Sequence, residues 1–344
     1  MRSNLLSARL RLVAALALAL PGCLLPEVDT PAVDPALLEA QKSGGGSASA
    51  PCHEGTKAPA LTIQAPMADP SLAGYEGQCV VAGAVNLDLG APASMKLAEI
   101  RVIEGRLTIG GSGDVAVAKV LPNLEEVKGQ IVIMDTALKT LPPFAKLKKA
   151  QSILIGSNHA LTAIAGFGAL EATDGVEVEQ NPLLASLGGF GKLTQVTSHI
   201  RVRHNYKLTS MTAFASLNAT TAALHFERGN FPSLAFPKLT GLNSLIATDC
   251  AVTQLSLPLV ETVSELRMRR LDELKTIALP KLKSIGTLEI SSVQHLQTAS
   301  WLLSKAHLSG SATVCPVASP LVEALKTWAQ GNGSTGTVQG TACQ

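Results

Sequence analysis

The chain has 344 residues, with 28 Lys and Arg against 26 Asp and Glu and 3% aromatic residues. A nearly neutral chain this poor in stacking rings gains little from counterion release or base stacking, which excludes nucleic acid as a partner. Residues 1–22 carry Arg2, Arg9 and Arg11 ahead of an unbroken apolar run from Leu12 to Leu20. This is the pattern of an export signal, well short of the ~20 apolar residues of a membrane span. Its removal takes three arginines and no acids, so the formal charge moves from +2 to −1. Residues 24–51 are rich in Pro, Ala, Gly and Ser and include Ser43-Gly44-Gly45-Gly46-Ser47. They read as a flexible tether with a root-mean-square reach of about 30 Å.

From Val85 onward a motif of the form apolar-x-apolar recurs. Its first residues are Val85, Leu107, Ile131, Ile153, Val176, Ile200, Leu224, Leu245, Leu266 and Leu288. They follow one another at a nearly fixed interval of about 22 residues, a period in the range of short solenoid repeats. Alternation such as Ile200-Arg201-Val202-Arg203 marks a half-buried strand. Further apolar residues follow at fixed offsets, as in Leu161 and Ile164, Leu184 and Leu187, Leu208 and Met211, and Leu274 and Ile277. One such unit cannot bury its apolar face alone, whereas stacked units form a continuous core. The expected fold is therefore an α/β-poor repeat solenoid built of parallel strands, with about ten rungs over residues 85–310 between an N-terminal cap at 52–84 and a C-terminal cap at 311–344. Three residues after the second apolar position stand Asn158, Asn181 and Asn205, with Cys250 at the same offset. A stacked amide there satisfies inward-facing turn groups, so these residues are expected to form a structural ladder. Gly229 and Cys250 depart from the Asn pattern, which predicts local bulges near the Leu224 and Leu245 rungs.

Two resemblances extend this reading. Leu20-Pro21-Gly22-Cys23 resembles the lipobox of bacterial lipoproteins, which implies that Cys23 is acylated and becomes the first mature residue, making 23–51 a lipid-anchored linker. Leu24 is not the aspartate that in such proteins signals inner-membrane retention, so the resemblance implies the outer membrane. Segments such as Val127-Lys128-Gly129-Gln130-Ile131-Val132-Ile133 and Val178-Glu179-Gln180-Asn181-Pro182-Leu183-Leu184, with a closing segment from Cys315 through Leu321, Leu325 and Gly340 to Cys343, resemble the receptor L-domain family over residues 79 to 344. That likeness implies a right-handed leucine-rich parallel β-solenoid that binds protein, peptide or glycan outside the cytoplasm, and it supplies no catalytic residues.

Apart from Cys23, five cysteines remain. Cys250 lies on the ladder position and is expected to stay a buried free thiol. The stack places the two ends ~43 Å apart, too far for a disulfide, so Cys52 is expected to pair with Cys79 and Cys315 with Cys343. Each bridge should contribute ~3 kcal/mol. Ser319-Pro320 followed by Leu321, Leu325 and Trp328 reads as a short capping helix with proline in its first turn. Trp301 and Trp328 are expected to pack in the cap.

The residues between inward positions form an outward face. It carries an apolar patch from Val132, Met134 and Leu154 beside a charged patch of Glu177, Glu179, Arg201, Arg203, His225 and Glu227. Cross-strand pairing that sets register is one reading of those charges, and a protein-recognition face with an apolar centre and charged rim is the other. His199, His204 and His225 present no metal-ligand spacing, and no Ser-centred elbow, phosphate loop or cofactor signature occurs. The sequence points to a non-catalytic recognition or adhesion module of the cell envelope. The alternatives are a structural envelope protein that packs with itself or a partner lipoprotein and, further off, a polysaccharide-cleaving solenoid enzyme.

Overall fold

The computed structural model describes residues 57–63, 75, 77–90, 97–113, 121–141, 143–299, 306–314, 323–324, 327–328, 330 and 338–339. All of them lie in the unit spanning 49–344. The export signal, Cys23 and the tether lie outside the described residues.

The chain winds as a parallel β-solenoid. The ten first apolar residues fall in one register column: Val85 pairs with Leu107, Leu107 with Ile131, Ile131 with Ile153, Ile153 with Val176, Val176 with Ile200, Ile200 with Leu224, Leu224 with Leu245, Leu245 with Leu266 and Leu266 with Leu288. The column runs on past both ends, with Leu61 paired to Val85, Leu288 to Ala312 and Ala312 to Val338. Strand pairing therefore enters both segments read as caps. Alternation drives the stacking, since Val176, Val178, Ile200, Val202, Leu266 and Met268 are buried. Each such side chain is worth about 1.5–3 kcal/mol once covered by the coils on either side.

Each coil bends within its long strand. The strands Glu126–Thr136, Lys149–Gly156, Ala172–Glu179 and Gln195–Asn205 begin with a first inward column that includes Val127, Ala150 and Val196. The register then shifts, between Val127 and Gln130 or between Thr173 and Gly175, before the second inward column. A further shift lies between Thr220 and Ala223. The bulges expected only near Leu224 and Leu245 are thus a recurrent device, because an extra residue bends a strand and lets a coil of this length turn its corner.

The chain leaves the sheet through a left-handed residue. Asp135, Ser157, Gln180, His204, Arg228, Asp249, Arg270 and Ser292, each two positions after the second apolar residue, have φ between 48° and 55°. That rotation delivers the next residue into the ladder slot. Asn158, Asn181 and Asn205 are fully buried. Asn181 Nδ2 donates to Ile155 O at 3.1 Å and to Glu179 O at 2.9 Å, while its Oδ1 accepts from Asn158 N at 3.1 Å. Asn205 repeats the arrangement one coil on, donating to Val178 O at 2.8 Å and accepting from Asn181 N at 3.1 Å. Thr136 heads the ladder, its hydroxyl donating to Asn158 Oδ1 at 2.7 Å.

Short strands then line a second side. Thr140–Leu141, Ala163–Ile164, Ser186–Leu187 and Ser210–Met211 form one sheet, and Ser233–Ala235, Gln254–Ser256, Thr276–Ala278 and Thr298–Ala299 form another. The break between them falls where Gly229 occupies the ladder slot. A Cβ on Gly229 would lie 2.2 Å from Phe231 Cε1, so glycine there is what lets Phe231 enter the core and meet Phe226 edge-on at 6.0 Å. A third corner holds Phe144, Phe167, Phe190 and Phe214, stacked with centroids 5.2, 5.1 and 5.6 Å apart.

Cys79 is buried and disulfide-bonded, and Cys250 is a buried free thiol. Cys52, Cys315, Cys343 and Trp301 lie outside the described residues, as does most of the expected capping helix. Glu323, Ala324, Thr327, Trp328 and Gln330 have helical backbone, and Trp328 is packed into the core cluster. Among the described residues no helix is long and apolar enough to cross a membrane.

Candidate functional site

The outward face of the main sheet collects the residues singled out in the sequence. Register places Val132, Leu154, Glu177, Arg201, His225, Ile246, Arg267 and Glu289 side by side in one column. Glu179, Arg203, Glu227, Thr248 and Arg269 lie in the next. The apolar part is shallower than its composition suggests. Val132 is 9% exposed, with Met134 and Leu154 half-buried beside it.

The charged part is a run of ion pairs between adjacent coils. Arg201 Nη1 donates to Glu177 Oε1 at 2.9 Å and Arg203 Nη2 to Glu179 Oε2 at 2.6 Å. Further along, Arg269 grips Glu289 through Nε at 2.6 Å, and this bond holds the Glu289 carboxyl below the usual carboxylate range. At the turn edge Arg270 binds Asp249 at 2.6 and 2.8 Å and lowers its pKa likewise. These pairs are partly solvated, so each contributes on the order of 0–1 kcal/mol and acts chiefly on register. His225 lies 3.9 Å from Glu227. Burial pushes its pKa down, and Glu227 opposes the shift.

One contact is invisible to the repeat pattern. His199 Nε2 meets Glu177 Oε1 at 2.7 Å, so the imidazole and the Arg201 guanidinium share one carboxylate oxygen. The ring lies over Gly175, where a Cβ would stand 2.8 Å from His199 Cε1. The register shift between Thr173 and Gly175 brings the two residues opposite, and only the bulge reveals that pairing. Ser198 Oγ is 2.9 Å from His199 Nδ1. A hydroxyl, an imidazole and a carboxylate thus lie in sequence, but Ser198 and His199 are chain neighbours and the carboxylate is already neutralised by Arg201. Their arrangement is a local hydrogen bond on a charged face, unlike a nucleophile that the fold carries to a distant base.

Among the described residues the exposed large apolar side chains are elsewhere, at Leu183 with 39% and Tyr206 with 57% exposure. Both sit in the turns that follow the asparagine ladder, and Tyr206 packs edge-on against His204 at 6.3 Å. The repeat could have pointed to them, because Asn181-Pro182-Leu183-Leu184 and Asn205-Tyr206-Lys207-Leu208 place apolar residues at turn positions that carry Asp272 and Glu273 in a later coil. Cys250 is buried. Burial pushes its thiol up to about 11, and its Sγ donates to Thr248 O at 3.2 Å. Among the described residues no group of three or more His, Cys, Asp or Glu is placed to hold a metal ion. The chain matches no protein-family model, no curated protein and no solved structure.

Proposed function

We propose that the chain is a non-catalytic recognition or adhesion module of the bacterial outer membrane, a right-handed leucine-rich-repeat solenoid anchored through lipid on Cys23 that offers its repeat surface to a protein, peptide or glycan. The observation that carries this reading is the outward strand face, where Met134 and Leu154 adjoin the Glu177–Arg201 and Glu179–Arg203 pairs in continuous register. An apolar centre beside a polar rim is the anatomy of a recognition patch. The acids of this face are held by arginines, which argues against acid–base cleavage of a bound polymer.

The leucine-rich type is supported by the buried asparagine slot and by Leu161, Leu184 and Leu208 packed behind it. Disulfide-closed ends, Cys52 with Cys79 and Cys315 with Cys343, draw support from the bonded state of Cys79. A helical C-terminal cover is supported by the helical backbone around Trp328. The anchor rests on the Leu20-Pro21-Gly22-Cys23 segment.

The test is a crosslinked pull-down from intact cells with Leu154→Asp and Arg201→Glu variants. Capture of the partner should be lost in both while circular dichroism shows both still folded, since Leu154 is only half-buried and the Arg201–Glu177 pair contributes at most about 1 kcal/mol. Capture at the wild-type level by both folded variants would remove this face from consideration. Incorporation of labelled palmitate into the wild type, absent in Cys23→Ala, checks the anchor independently.

A further inference from the structure

The third corner of the solenoid carries a second surface. In each coil the chain turns there through the same hydrogen bond, with Leu147 N donating to Phe144 O, Leu193 N to Phe190 O, Leu239 N to Phe236 O and Leu282 N to Leu279 O. The second residue after each of these acceptors is a lysine: Lys146, Lys192, Lys238 and Lys281, all exposed. The coils between them place Ala169, Ser216 and Leu259 at that position, half-buried. From the Phe144 coil to the Leu279 coil lysine therefore recurs in every second coil, in single file, and the same turn in the two coils before them carries Glu99 and Asn123. Stacking distances of 5.2 and 5.1 Å between Phe144, Phe167 and Phe190 give the coil step at this corner, so consecutive lysines stand ~10 Å apart along the stack.

These cations are little used by the fold. Lys146 donates to the neutral Asn123 at 2.6 Å; among the described residues Lys192 and Lys238 have no ion-pair partner, and Lys281 acts on Glu261 only at longer range than Lys283 does. Between Lys192 and Lys238 the smaller Ser216 leaves an open groove of about 650 Å³, lined also by the polar side chains of Thr194, Asn218 and Thr240. The acids nearby are Glu171, which lines one end of the groove, and Glu261, which is held by Lys283 at 2.6 Å.

We propose that this corner binds a linear acidic polysaccharide bearing one carboxylate or sulfate per disaccharide, laid along the stack with successive acids on successive lysines. The sugar hydroxyls between acids would meet Ser216, Thr194 and Thr240. The single file is what selects the ligand. A lipid surface is a plane and calls for cations on the adjoining column, which holds Glu171 and Glu261 as well as Lys148 and Lys283. A polymer charged on every sugar would place half of its acids against Ala169, Ser216 and Leu259. The proposal is independent of the strand face, which is formed by other residues.

The experiment is titration calorimetry at low salt with a hyaluronan octasaccharide, whose acids fall on alternate sugars, with dextran and phosphatidylglycerol vesicles as comparators. The octasaccharide should bind and dextran should not. Lys192→Ala or Lys238→Ala should each raise Kd about threefold and the double variant about tenfold, while Lys192→Arg keeps the affinity. Circular dichroism should show all variants folded, because the side chains are exposed. No binding of the octasaccharide, equal binding of dextran, stronger binding to vesicles, or an unaltered Kd in the folded double variant would overturn the assignment.

Discussion

Buried polar atoms in this protein are tolerated only where a neighbouring coil completes them. Asn181 gives both amide hydrogens to backbone carbonyls and takes a backbone N–H on its Oδ1, which avoids the roughly 1–3 kcal/mol that each orphaned group would cost. Cys250 fills the same slot differently. With no amide to share, it hands its weak donor to Thr248 O and otherwise behaves as a small apolar side chain. Its pH dependence follows from burial. The unfolded thiol ionises near 9.0 and the folded one at about 11, so between those values the native state holds the extra proton. The associated stability is whole below about pH 9 and declines as pH rises through the window, by up to about 3 kcal/mol. Urea midpoints at pH 8 and pH 10.5 should therefore fall less in Cys250→Ala than in the wild type. Parallel changes in the two proteins would mean that the thiol ionises as freely inside the stack as outside it.

At the scale of elements, the three sides of a coil differ in how openly the sequence declares them. The long strands are legible because alternation and a near-constant interval both follow from burying one face, and every rung read from Val85 to Leu288 lies in the observed register. The turn after each strand is legible from the asparagine slot, but its left-handed backbone is not. Asp135, Gln180, His204 and Arg228 share a left-handed conformation with no glycine among them, and the stack enforces a backbone state that costs each residue about 1–2 kcal/mol by itself. The phenylalanine corner recurs at the period of the strands, from Phe144 through Phe167 and Phe190 to Phe214, but one aromatic per coil reads as scattered until the coils are superposed. That corner also bears a prediction. Phe190 is fully buried between two rings, so Phe190→Ala should cost about 3–5 kcal/mol in urea unfolding. Phe190→Leu should cost only about 1.5 kcal/mol, because the same corner already accepts Leu257 and Leu279 in later coils. Equal losses in the two variants would show that the ring stack, and not the filled volume, holds the corner together.

At the scale of the whole molecule, strand pairing among the described residues of the main sheet runs from each coil to the next, so a coil is exchangeable in a way that a strand of a sandwich is not. The candidate face inherits this property. Glu177, Arg201 and His225 are neighbours because their coils are, and the sequence exposes that adjacency once the interval is known. The placement of His199 over Gly175 is hidden because it depends on a bulge rather than on the interval. A deletion tests the modular logic directly. Removing Leu245–Glu265, one full period of the repeat, joins Ser244 to Leu266. Leu224 then stacks on Leu266, Leu234 on Ile277 and Glu227 beside Arg269, so each inward column and the ion-pair face close again. The shortened protein should keep its β-sheet circular dichroism and unfold in one transition, at lower urea and with a smaller m-value in keeping with the surface removed. Deleting only Leu245–Leu255 brings a corner segment against a strand and turns apolar residues outward, since a strand displaced out of phase exposes its buried set. That variant should show no β-sheet spectrum. If both deletions fold equally well, coil-to-coil register does not govern stability; if neither folds, the stack depends on long-range contacts that nearest-neighbour packing does not supply.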